Sequence, residues 1–137
     1  MAKRRRGSDR AGGRDERRAR AFERLVDRAL AAIPDPFRLA LDEVAVIVED
    51  EPTDGQLLDN GLTLDESMYG LYEGVPRTEW ASDWAMSPNR ITLFRGPLEA
   101  DFPDPRELED EVRLTVVHEL AHHLGIDDDR LDELGAG

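Results

Sequence analysis

Hydrophobic residues recur along this chain with two periods, and the switches between them mark its elements. Phe22, Leu25, Val26, Ala29, Leu30 and Ile33 fall at helical spacing with Arg and Glu between them, which predicts an amphipathic helix from about Arg14 to Ile33, stopped by Pro34. Phe37 to Asp42 has room for a helical turn or two. The β-branched run Val44-Ala-Val-Ile-Val48 then reads as a strand with both faces at least partly buried. Glu51-Pro-Thr-Asp-Gly55 and Asp59-Asn60-Gly61 carry turn chemistry, while Gln56-Leu-Leu58 and Leu62-Thr-Leu64 read as short strands or loop anchors. Leu71-Tyr72-Glu73, flanked by Gly70 and Gly74, suits a brief strand entering a tight turn. Residues 77–89 are irregular, with Trp80, Trp84 and Met86 in a polar loop; packing against the body and contact with a substrate are both open to the two tryptophans. Arg90-Ile-Thr-Leu-Phe-Arg95 alternates with period two and predicts a strand ended by Gly96-Pro97. It has two possible places, the centre of a sheet or the edge of a cleft where an extended peptide pairs with it.

The last long element is punctuated most explicitly. Asp104 is placed to cap, Pro105 suits the first helical position and Glu107 completes a D-x-x-E box, so a helix is predicted from Pro105 to about Leu124. On a wheel of about 100° per residue, Leu108, Val112, Leu114, Val116, Val117, Leu120, Ala121 and Leu124 cover roughly two-thirds of its circumference. The uncovered sector holds Glu111, Thr115, His118 and His122. A helix buried nearly all round, with a polar notch containing two histidines, is more than packing requires.

Composition narrows the chemistry. The 137 residues suit one domain, and with no cysteine there is no disulfide, no thiolate nucleophile and no sulfur-rich zinc site. A transition metal would have to be held by histidine and carboxylate. The net charge of −13 is unevenly spread: residues 1–20 carry nine Lys and Arg against three acids, leaving nine basic and 28 acidic residues in 21–137. Residues 1–20 are therefore expected to be a basic, disordered tail, with a weak anionic partner as its possible role, and 21–137 the folded domain. No apolar run is long enough to span a membrane and no signal-peptide core is interpretable near the N-terminus, so a cytoplasmic location is expected.

All three histidines lie within Thr115-Val-Val-His118-Glu119-Leu-Ala-His122-His123-Leu-Gly125-Ile-Asp-Asp128, and two of them form H-E-x-x-H. His118 and His122, one turn apart, place both imidazoles where a single tetrahedral ion can take them at about 2.0–2.1 Å. A left-handed Gly125 would end the helix and turn the chain back, letting Asp128 supply a third, carboxylate ligand and leaving a fourth position open for water. Asp127 and Asp129 are alternatives, as is Glu133 farther on, and Asp128 has an ordinary role available as the cap of a final helix. Glu119 can lean over the open position and act as general base. His123 points into the apolar arc and reads as a core histidine satisfied by a backbone or carboxylate partner. Thr115 and Glu111 are placed to orient His118, and an oxyanion would fall to Tyr69, Tyr72 or an arginine.

His118 to Asp128 fits the H-E-x-x-H-x-x-G-x-x-D signature of Asp-type zincins. With Leu71-Tyr-Glu-Gly-Val-Pro76, Ile91-Thr-Leu-Phe-Arg-Gly-Pro-Leu-Glu99 and Arg130-Leu-Asp-Glu-Leu-Gly135, the chain resembles the family of minimal bacterial zincin-like metallopeptidase domains over about residues 36 to 135. The resemblance implies a single α+β domain, its small mixed sheet packed on an N-terminal helix and a central active-site helix. It further implies zinc on His118, His122 and Asp128, Glu119 as general base, and a peptide or protein substrate. Nine residues follow Asp128 and none is methionine, so the floor beneath the ion is expected to be built from elsewhere and the cleft to be shallow or completed by another chain. A zinc-bearing domain that binds a protein partner without catalysis is the second reading; a base beside an open metal position favours the first.

Overall fold

The two long apolar seams of the sequence pack against each other and against one face of a sheet. A computed structural model describes residues 2–74, 89–126 and 128–133, without the side chains of residues 2–12, 128, 131 and 132; the loop carrying Trp80, Trp84 and Met86 lies outside the described residues. The elements are α1 (Ala2–Ala31), α2 (Phe37–Ala40) with a following 3-10 turn (Leu41–Glu43), β1 (Ala45–Glu49), α3 (Asp54–Asp59), β2 (Gly70–Glu73), β3 (Arg90–Phe94), α4 (Arg95–Asp101), α5 (Pro105–Leu124) and α6 (Asp128–Glu133). The fold is α+β, as expected.

Strand order is β1-β3-β2, with β1 parallel and β2 antiparallel to β3. The strand over Arg90–Phe94 is thus the centre of the sheet, which removes it as a cleft edge: its main chain is engaged on both sides. The register places Val46, Val48, Ile91, Leu93, Gly70 and Tyr72 on one face. That face meets Phe22, Leu25, Val26, Ala29 and Ile33 of α1 and Leu108, Val112, Val116, Val117, Leu120 and Ala121 of α5 in the core. Ile91, Leu93, Val112, Val116 and Leu120 are wholly shielded, each contributing about 1.5–3 kcal/mol by burial. Outside the core, Arg28 of α1 pairs with Glu109 of α5 at 2.8 Å.

Several elements differ from the sequence expectation for identifiable reasons. The helix predicted from Arg14 begins at Ala2; the apolar pattern marks only where α1 packs, from Phe22 on, whereas Ala and Arg favour helix without a partner. Gln56-Leu-Leu58 lies in α3, because Thr53 and Gln56 form a capping box: the Thr53 hydroxyl accepts from the Gln56 N–H at 3.1 Å and the Gln56 side chain from the Thr53 N–H at 2.8 Å. Gly96-Pro97 follows the end of β3, as expected, but within a helix. It sits in the first turn of α4, where proline lacks no needed donor and Gly96 lets its N–H reach the Asp50 carbonyl at 2.8 Å.

A candidate metal and peptide site on α5

Helix α5 begins and ends as its sequence directs. The Asp104 side chain accepts from the Arg106 N–H at 2.9 Å with Pro105 behind it, one residue short of the box geometry that Glu107 suggests. At the other end Gly125 is left-handed (φ 74°), Gly125 N–H bonds to the His122 carbonyl at 3.1 Å and Ile126 N–H to that of Ala121 at 2.8 Å. These two bonds make a Schellman turn that reverses the chain directly after the histidines.

His118 and His122 stand one turn apart with ring centres 5.0 Å from each other and planes at 62°. His118 is half-buried, and the His122 side chain is 48 % exposed. Glu119 is buried, and its Oε2 lies 3.1 Å from His122 Nδ1. That contact is a hydrogen bond when Nδ1 carries the proton, and this tautomer keeps the lone pair on Nε2, the form in which imidazole binds a metal. The pair therefore suits a zinc ion in donor type and spacing. Among the described residues no group of three His, Cys, Asp or Glu converges on one point. The chain directly after the Schellman turn carries the expected third donor: Asp128 opens α6, with its side chain outside the described residues, and Asp127 lies outside them altogether. Of the alternatives, Glu133 accepts from Arg130 at 2.8 Å within α6, and Asp129 is exposed.

A cleft of about 370 Å³ runs from His118 and Glu119 along α5 to Glu111, lined also by Tyr69, Gly70, Leu114 and Thr115. Thr115 and Glu111, expected to orient the His118 ring, line this cleft. Leu114, expected within the apolar arc, is 42 % exposed at this lip. Gly70 was missed as a site residue, although a glycine at the start of a strand is a recognisable sign of close backbone approach. A β-carbon at Gly70 would stand 2.6 Å from Thr115 Cγ2, so only glycine lets β2 lie this close to the helix.

Strand β2 also offers main-chain groups to the cleft. Phe94 N–H bonds to the Tyr69 carbonyl at 2.9 Å, which directs Tyr69, Leu71 and Glu73 toward β3 and, by alternation, Gly70 and Tyr72 outward. Among the described residues no strand pairs with that outer edge. Of the two tyrosines, only Tyr69 lines the cleft. Its hydroxyl donates to Asp101 Oδ2 at 2.5 Å and its ring meets Phe102 edge-on at 5.5 Å. The bond to Asp101, then burial, and then the negative charges of Asp101 and Glu111 push its ionisation up to about 12.

The third histidine belongs to a different structure. His123 is fully buried; its Nε2 lies 2.6 Å from Glu43 Oε2 and its Nδ1 3.2 Å from the Tyr72 hydroxyl, which reaches Asn89 Oδ1 at 3.1 Å. Its burial is what the helical wheel predicts, and of the two kinds of partner expected, backbone or carboxylate, the structure supplies a carboxylate. The chain Glu43, His123, Tyr72, Asn89 ties the 3-10 turn, α5, β2 and the entry to β3 together, and it occupies Tyr72 away from the cleft.

Residues 41–137 match a family model described as zincin-like metallopeptidase. No curated protein gives a significant match to the chain.

Proposed function

The chain belongs to the zincin-like metallopeptidase family, and on that premise we propose that it hydrolyses peptide bonds with zinc held by His118, His122 and Asp128 and with Glu119 as general base. The observation that carries the reading is the pairing of two imidazoles 5.0 Å apart with a buried carboxylate beside them, at the end of an open cleft. The chemistry that zinc supplies when held there is Lewis acidity, which makes water nucleophilic near neutral pH and polarises the scissile carbonyl.

The chain's own residues do the rest. The outward N–H and C=O groups of Gly70 and Tyr72 pair with an extended peptide and lay it beside α5, the strand addition by which sheet edges bind peptides. Glu119 takes a proton at its carboxylate from the attacking water and delivers it to the departing amide nitrogen, so that the amine leaves neutral. The reversal of the chain at Gly125, directly after the histidines, supports Asp128, three residues on, as the carboxylate ligand.

Turnover of a mixed peptide library by the zinc-loaded protein, compared with Glu119→Ala, tests the proposal. Removal of the base is expected to lower turnover about 10²- to 10⁴-fold with zinc content unchanged. Equal activity of the two proteins, or none in the wild type, would contradict it.

A further inference from the structure

We propose that the cleft beside the two histidines is a specificity pocket for a lysine or arginine side chain next to the scissile bond, with Glu111 as the residue that selects it. This rests on the peptidase reading for the word "scissile" but not for the pocket itself.

The cleft has a direction. Its lining runs along α5 from His118 and Glu119 to Glu111, two helical turns and about 10 Å back along the axis. Between the two ends the walls are the exposed side of Leu114, the Tyr69 ring, the Thr115 side chain and the bare backbone of Gly70. The lining is therefore apolar along its length and anionic at its end, which matches a long aliphatic stem carrying a cation. A leucine or phenylalanine would fill the walls but leave the carboxylate facing it; an acidic side chain would be repelled.

Among the described residues Glu111 is set apart from its neighbours by its lack of a cation. Three consecutive acids stand on α5. Glu109 pairs with Arg28 at 2.8 Å and Asp110 with Arg113 at 3.5 Å, whereas Glu111, among the described residues, has neither ion pair nor hydrogen bond. Among the described residues a second acid, Asp101, is held by the Tyr69 hydroxyl, so the phenol has two carboxylates near it. A half-buried carboxylate in a partly apolar cleft gains from a cation more than an exposed one does. The excess of acid over base in residues 21–137, 28 against nine, favours the approach of basic peptides from a distance.

The test uses blocked, fluorescent peptides that differ at one position, occupied by Lys, Arg, norleucine or Glu, with the full-length zinc-loaded protein. Cleavage is read as kcat/KM, and binding is read independently by anisotropy with Glu119→Ala. Lys and Arg peptides are expected to exceed norleucine at least about ten-fold at a position flanking the cleaved bond. Glu111→Gln should bring that ratio toward unity and Glu111→Lys should favour Glu, while Glu109→Gln, an equal loss of charge one turn-face away, keeps the wild-type ratio. Selective binding of basic peptides that depends on Glu111, without cleavage of any peptide, would leave the pocket standing and remove the peptidase reading. Cleavage with no basic preference, or a preference untouched by Glu111→Gln, would overturn the pocket and leave the peptidase reading intact. Neither cleavage nor Glu111-dependent binding would overturn both.

Discussion

His122 and His123 are adjacent in sequence and opposite in environment: one side chain is 48 % exposed at the mouth of a cleft, the other fully shielded and bonded on both ring nitrogens. The 100° that separates successive residues on a helix is the whole cause. One step around α5 takes the same imidazole from a face shared with Glu111, Thr115 and His118 to a face shared with Glu119 and covered by β2. The first face borders open space, with Glu111, Thr115 and His118 lining the cleft. On the second, both ring nitrogens of His123 are matched, because an unmatched one in the core would cost about 1–3 kcal/mol.

This contrast predicts different symptoms for the same substitution. His118→Ala and His122→Ala are expected to abolish peptide turnover, a loss of three or more orders of magnitude, while leaving the urea midpoint of the metal-free protein nearly unchanged, since both side chains are at least partly solvated. His123→Ala should do the reverse: it leaves a cavity and strips Glu43 and Tyr72 of a shared partner, for a destabilisation of about 2–4 kcal/mol. A smaller cut in the same chain, Tyr72→Phe, should cost about 1 kcal/mol in the same urea titration. If His123→Ala melts like the wild type, the buried chain is not the structural tie described above.

The weakest expected effect lies at the cleft wall. Tyr69 ionises at about 12 in the folded chain against 10.0 for an ordinary tyrosine, so its neutral form is favoured by folding. Its contribution to stability is fully present below pH 10 and is lost as pH rises from 10 toward 12. Ultraviolet titration of the phenols should show a late transition for Tyr69, brought down toward 10 by Asp101→Asn. An unmoved transition in that variant would mean that the Tyr69 hydroxyl is not bound to Asp101 in solution.

The sequence made α5 legible because three independent signals coincide there: a cap with proline, an interrupted apolar arc and a C-terminal glycine. His118, His122 and the inward turn of His123 follow from spacing alone. The cleft was harder to read, since its second wall is β2, sixteen or more residues before β3 and paired with it across a segment of no regular pattern. Nothing local in Gly70-Leu-Tyr-Glu73 says that Gly70 will lie on Thr115, or that β3 rather than β2 will be the central strand. Glu43 as the partner of His123 is a contact across 80 residues, which no periodicity encodes. The α3 helix was legible and was missed: T-x-x-Q at Thr53 is a capping signal, outweighed by the turn residues on either side.

The central claim is a division of labour among three histidines, and zinc content measured on the purified single variants tests it most directly. The wild type and His123→Ala, the latter checked as folded by circular dichroism, should retain near-stoichiometric zinc after dialysis, and His118→Ala and His122→Ala should lose it. Zinc lost from folded His123→Ala, or retained by both of the other variants, would contradict the account.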